Sequence, residues 1–166
     1  MTLFIPRNLH SSSILETLIL SIMKQDMELI IFSNLQKAND CALWLSFTHR
    51  VRKELFVVVH GPDEDYVVMR KSDALELELS AIGPKFHDYS QLNYSDIEAI
   101  RIDEDPLKHW EEITGAFATM DGEFLRYILK AKIPLEKFVK YELAIRGYDQ
   151  NGHWVGFEKA KEIWLK

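Results

Sequence analysis

Two short apolar runs set the pattern of this chain. Residues 55–59 (LFVVV) and 66–69 (YVVM) are continuous and rich in β-branched side chains, which fits strands buried on both faces rather than strands with one wet face. Between them lies His60-Gly61-Pro62-Asp63-Glu64-Asp65, where Gly-Pro and a run of acids mark a turn. A central hairpin over 54–70 is therefore expected. A further apolar run at 27–33 (MELIIFS) reads as a first strand.

Helical periodicity accounts for most of the remainder. Ser13-x-x-Glu16 is a capping box, and Ile14, Leu15, Leu18, Ile19 and Ile22 recur at helical spacing, predicting a helix over 14–24 within an N-terminal segment 11–25. Ala38, Ala42, Leu45 and Val51, flanked by Leu43, Trp44 and Phe47, form a wide apolar stripe over 36–51. Strand, helix, strand in that order implies a right-handed crossover that sets the first strand parallel to 55–59. Residues 72–82 carry two periods: Leu75, Leu77 and Leu79 alternate as in a strand, whereas Ser72 as a cap with Leu75, Leu79 and Ile82 favours a helix, ended by Gly83-Pro84. Residues 85–95 read as loop. Ile100 and Ile102 share one side of a strand over 98–103. Asp105-Pro106 then offers an Asp cap and a first-turn proline. Helices follow over 106–119, 122–132, 135–146 and 157–165, punctuated by Asp121-Gly122, Ile133-Pro134 and Arg146-Gly147.

The fold class that results is α+β: a small mixed sheet of about four strands around the 54–70 hairpin, packed with helices, and a mostly helical last third. One domain over 1–166 is expected, with the sheet-containing part at 27–104 and the helical part at 105–166. Hydrophobic residues make up 47% of the chain, enough to bury a core without disulfide staples. The single cysteine, Cys41, cannot bridge within the chain, which suits a reducing compartment. The apolar run at 14–23 is interrupted by Glu16 and falls short of the roughly 20 residues that span a bilayer. A soluble cytoplasmic protein without membrane association is the expectation.

Catalytic signatures are sparse. The VVVHGP string at 57–62 is superficially similar to the oxyanion loop of α/β-hydrolases, but no Gly-x-Ser-x-Gly elbow accompanies it. No Gly-x-Gly-x-x-Gly or Walker loop occurs, and Cys41 lies on an apolar stripe with no adjacent cation to activate it. Asp63-Glu64-Asp65 and Asp103-Glu104-Asp105 could together hold a divalent metal for phosphoryl chemistry, with His60 and His109 near in sequence, if the two runs converge. Otherwise they are solvated turns. Gly147-x-Asp149-x-Asn151-Gly152-x5-Glu158 matches part of an EF-hand loop, but glycine stands where the first aspartate belongs. A tight turn, or a hairpin tip, explains it more simply. His87-Asp88 and His153 are loop histidines that could titrate or ligate and more often do neither.

The remaining signals concern partners. His49, Arg50, Arg52 and Lys53 end the second predicted helix and read either as a phosphate contact or, better, as cations complementing a helix C-terminus. A formal charge of −6 argues against nucleic acid and is compatible with a basic protein partner. Of the aromatics in the last third, Tyr148 and Trp154 flank the polar turn and are the best candidates for partner contact. The leading expectation is a non-enzymatic interaction domain, of the inhibitor, immunity, antitoxin-like or adaptor type. Asp63, Glu64, Asp65, Asp103, Glu104, Tyr148 and Trp154 would be its partner-binding residues, with no cofactor and no metal. The alternative is a metal-dependent enzyme acting on a phosphodiester or nucleotide through the same acidic turns.

Overall fold

The computed structural model describes residues 29–84 and 89–166; the helix expected over 14–24 and the pair His87-Asp88 lie outside them. The chain divides into two compact units, Met1–Ala99 and Ile100–Lys166. The first carries β1 (Ile30–Phe32), α1 (Leu35–Thr48), a 3-10 turn (Arg50–Arg52), β2 (Phe56–His60), β3 (Tyr66–Arg70), α2 (Lys71–Glu76), β4 (Ala81–Gly83) and a 3-10 turn at Tyr89–Gln91. Helix α3 (Tyr94–Ile102) runs across the boundary, and α4 (Lys108–Ala118), α5 (Gly122–Lys130), α6 (Leu135–Ile145) and α7 (Phe157–Trp164) follow.

The hairpin is the centre of the first unit. β2 and β3 pair antiparallel from Phe56↔Arg70 to His60↔Tyr66, and the sheet order is β1-β3-β2-β4. Successive strand residues face opposite sides, and both sides are dry. Val57, Val59, Val67 and Met69 join Ala74 in one cluster, with Leu29, Leu77 and Leu79 packed against it. Val58 and Val68, opposite one another, are also fully buried. Helix α1 packs on the sheet and buries Ala38, Cys41 and Ala42. Asn34 starts α1 by accepting from the Lys37 amide at 3.0 Å, and Ser46 Oγ accepts from the Phe56 amide at 2.9 Å, tying the helix to the start of β2.

The α+β class, a sheet of four strands, the 54–70 hairpin and the helical last third are all present. Three details differ from expectation. First, all hydrogen-bonded neighbours in the sheet are antiparallel rather than mixed. β1 and β2 do point the same way, but β3 lies between them, so hairpin pairing takes the edge that a parallel neighbour would have used. Second, the helix expected over 72–82 stops at Glu76 and gives way to the fourth strand at 81–83, while 98–103 falls largely in α3. Asn93 is the reason: its Oδ1 accepts from the Ser95 and Asp96 amides, while Asp96 Oδ2 accepts from the Asn93 amide at 2.9 Å. That reciprocal box starts a helix and overrides the alternation of Ile100 and Ile102. Third, Asp105 is not a helix cap. α4 starts after Leu107 without a side-chain cap, and the Asp105 amide instead donates to Asp103 Oδ1 at 3.0 Å.

Beyond Asp105-Pro106 the punctuation of the second unit works as expected. Asp121 Oδ1 accepts from the Glu123 and Phe124 amides and starts α5. α6 and α7 pack on one another, and each buries one alanine completely, Ala144 and Ala160. Small residues at these positions let two helices approach closely. No helix among the described residues is long and apolar enough to cross a membrane.

Candidate functional site

Between α6 and α7 the chain makes a short antiparallel loop, and its side chains are the best-organised surface group in the second unit. Gly147, just after α6, takes φ +74°, and a Cβ there would lie 3.0 Å from Trp154 Nε1. Glycine thus both reverses the chain and lets the indole lie against the backbone. The Val155 amide donates to Gly147 O at 2.9 Å, Tyr148 and Trp154 form an antiparallel bridge, and the Asp149 amide donates to His153 O at 2.9 Å.

Asp149 organises the tip. Its Oδ1 accepts from the Asn151 amide at 2.8 Å and the His153 amide at 2.9 Å. The His153 amide, foremost, holds the Asp149 carboxyl below its ordinary range; desolvation opposes it, and the Asn151 amide and the His153 ring add smaller lowering contributions. The EF-hand-like spacing is thus a hairpin-like turn in which the aspartate oxygen serves its own loop. Trp164 Nε1 in α7 donates to Tyr148 O at 2.8 Å, clamping the helix to the loop from the far end.

What this scaffold presents is aromatic. Trp154 is 65% exposed and Phe157 57%, their rings edge to face with centroids 6.4 Å apart, and Tyr148 is 42% exposed. Phe138 and Tyr141 on α6 are also exposed. The polar groups nearby are spoken for within their own helices: Arg146 pairs with Glu142 at 2.8 Å, Lys161 with Glu158 at 2.7 Å and Lys159 with Glu162 at 3.1 Å. Charges in the second unit nearly cancel, so the chain's acidic excess lies in residues 1–99.

The other expected site residues sit on turns. Asp63, Glu64 and Asp65 occupy the hairpin turn, closed by the Gly61 amide donating to Asp65 O at 2.7 Å. Asp63 and Glu64 are exposed, Asp65 half-buried. Asp103 and Glu104 are exposed after α3, in the other unit from the hairpin turn. Among the described residues no group of three or more His, Cys, Asp or Glu side chains is placed to hold a metal ion. Cys41 is buried, and burial first, the Asp40 carboxylate second, pushes its thiol up to about 11, the reverse of an activated nucleophile. Tyr89 donates to buried Asp40 at 3.2 Å, and its hydroxyl is likewise pushed up by burial and by that carboxylate.

Among the cations ending α1, His49 Nδ1 lies 2.9 Å from Leu45 O, and Arg50 donates to Phe47 O at 2.8 Å while its guanidinium sits 4.2 Å over the Phe47 ring. These two cap the helix. Sequence reasoning passed over Phe157, whose partner Trp154 is brought close by the tight turn, and Arg70 and Lys71, which the hairpin register sets beside Lys53–Leu55. A register drawn from the 54–70 hairpin would have found the latter pair. No protein-family model, curated protein or solved structure matches this chain, so a functional reading rests on the geometry described above.

Proposed function

We propose that this protein is a protein-interaction module of the inhibitor, immunity, antitoxin-like or adaptor type, working in the cytoplasm. Its second unit anchors a partner protein through Trp154, Phe157 and Tyr148, and the acidic turns at Asp63-Glu64-Asp65 and Asp103-Glu104 favour partners with a basic surface. The observation that carries the reading is the exposure of Trp154 on a loop fixed at both ends and of Phe157 beside it at the start of α7. Large aromatics held rigid at a surface lose little conformational entropy on binding and dominate interface energetics. The acid excess of the first unit adds long-range attraction that speeds encounter and fades with salt. A single buried cysteine supports a reducing compartment.

The test is to isolate the partner with the full chain as bait and compare it with Trp154→Ala. Loss of an anchor of this kind weakens binding by about 30-fold or more, the scale of a hot-spot residue, with the thermal midpoint held. Unchanged affinity in Trp154→Ala and Phe157→Ala together would end the reading. No observation favours the metal-dependent enzyme as a second reading.

A further inference from the structure

The base of the hairpin carries an open groove of about 340 Å³, a volume at the small end of the range that holds low-molecular-weight ligands. Strand register builds it. Phe56 stands opposite Arg70, and the Lys71 amide donates to Leu55 O at 2.7 Å, so the chain entering β2 and the chain leaving β3 form its two walls. Lys53 comes from one wall, Arg70 and Lys71 from the other.

The cations differ in their commitments. Arg70 Nε donates to the buried Asp73 carboxylate at 2.9 Å, which fixes that wall. Lys53 and Lys71 take part in no ion pair among the described residues, unlike Lys159 and Lys161, each of which is paired along its own helix. Lys53 also holds φ +57°, a conformation that glycine or asparagine reaches with less strain. Two like charges face one groove where the backbone asks for a different residue. Beside them Leu55 and Leu75 are 55% and 68% exposed, an apolar strip next to a charged one. Glu54 also lines the groove and keeps its net positive charge small, which suits one phosphate group better than a polyphosphate chain.

We propose that this groove binds a small phosphomonoester bearing an apolar group: Lys53 and Lys71 neutralise the phosphate, and Leu55 and Leu75 cover the apolar part. The groove belongs to the first unit and the aromatic loop to the second, and this proposal does not depend on the partner reading. The test is an amide chemical-shift titration of the full chain with hexyl phosphate, inorganic phosphate and hexanol in parallel. Shifts concentrated at 53–55 and 70–75 are expected, with hexyl phosphate binding at least about tenfold more tightly than either fragment and losing affinity as salt rises. Combined Lys53→Gln and Lys71→Gln removes the binding while the thermal midpoint stays. Lys53→Gly, which relieves the left-handed backbone, holds or raises the midpoint and still weakens binding, so a lost site is told apart from a lost fold. No groove shifts at millimolar hexyl phosphate, equal binding of hexanol, or unchanged binding by the double variant would each overturn the proposal.

Discussion

In the first unit the valines of β2 and β3 are buried on both faces of the sheet. In the second, the buried apolar side chains are Ile128 and the alanines Ala144 and Ala160, while Phe124, Tyr127, Phe138, Trp154 and Phe157 stay at the surface. Both units have ample apolar side chains, so composition does not separate them. What separates them is where the large side chains go. A β-branched side chain inside a sheet contributes its transfer free energy to folding, on the order of 1.5–3 kcal/mol when fully buried. An aromatic left outside contributes to association instead, when a partner covers it. The first unit thus keeps its large apolar side chains inside and the second leaves many of its own outside, the difference on which the proposed partner reading draws.

The strongest way to break this contrast is at Met69, which is fully buried between β2 and α2 side chains. Met69→Ala should cost about 2–5 kcal/mol by urea denaturation; a loss below about 1 kcal/mol would mean that the sheet core is looser than its burial implies. Gly147→Ala comes next. It forces an L side chain into φ +74° and against the Trp154 indole, so a loss of about 1–2 kcal/mol is expected, together with a changed tryptophan emission spectrum. An unchanged spectrum would separate the indole from the glycine.

A smaller effect concerns acid. Because the folded Asp149 carboxyl lies below its ordinary value of 3.8, its contribution to stability is complete above that value and is lost as pH falls through the folded one. Asp149→Asn should flatten the acid limb of the melting curve below pH 4, lowering the midpoint at neutral pH, where the carboxylate's contribution is complete, and changing it least in acid; a wild-type acid limb in the variant would remove the carboxyl from the account. The smallest effect sharpens the contrast from the other side. Phe138→Ala, at an exposed position of α6, should move stability by no more than about 0.5 kcal/mol, and a loss on the scale of Met69→Ala would place Phe138 in a core.

Much of this was legible from residues alone because several signals agreed. The Gly61-Pro62 turn between two β-branched runs left one pairing, and Asp121-Gly122 and Ile133-Pro134 bounded helices that the apolar period also supported. Residues 98–103 misled because Ile100 and Ile102 satisfy a period of two, while the deciding hydrogen bonds come from Asn93 and Asp96, outside that window. Spacing named Tyr148 and Trp154 correctly as residues flanking a turn, and both are exposed. It could not supply the Gly147 contact that fixes the indole, nor the Trp164 bond to Tyr148 O, since both depend on how the loop folds back rather than on a spacing pattern.

The strand order has one more effect. The outermost strands of the sheet, β1 and β4, are three residues each, whereas the inner pair are five. A valine-rich sheet is a ready template for another chain to add a strand, and amyloid growth starts from long, flat edges. Here the segments with the greatest tendency to aggregate are flanked by edges too brief to offer a continuous ladder. Lengthening β4 would therefore turn a protected edge into a solubility hazard.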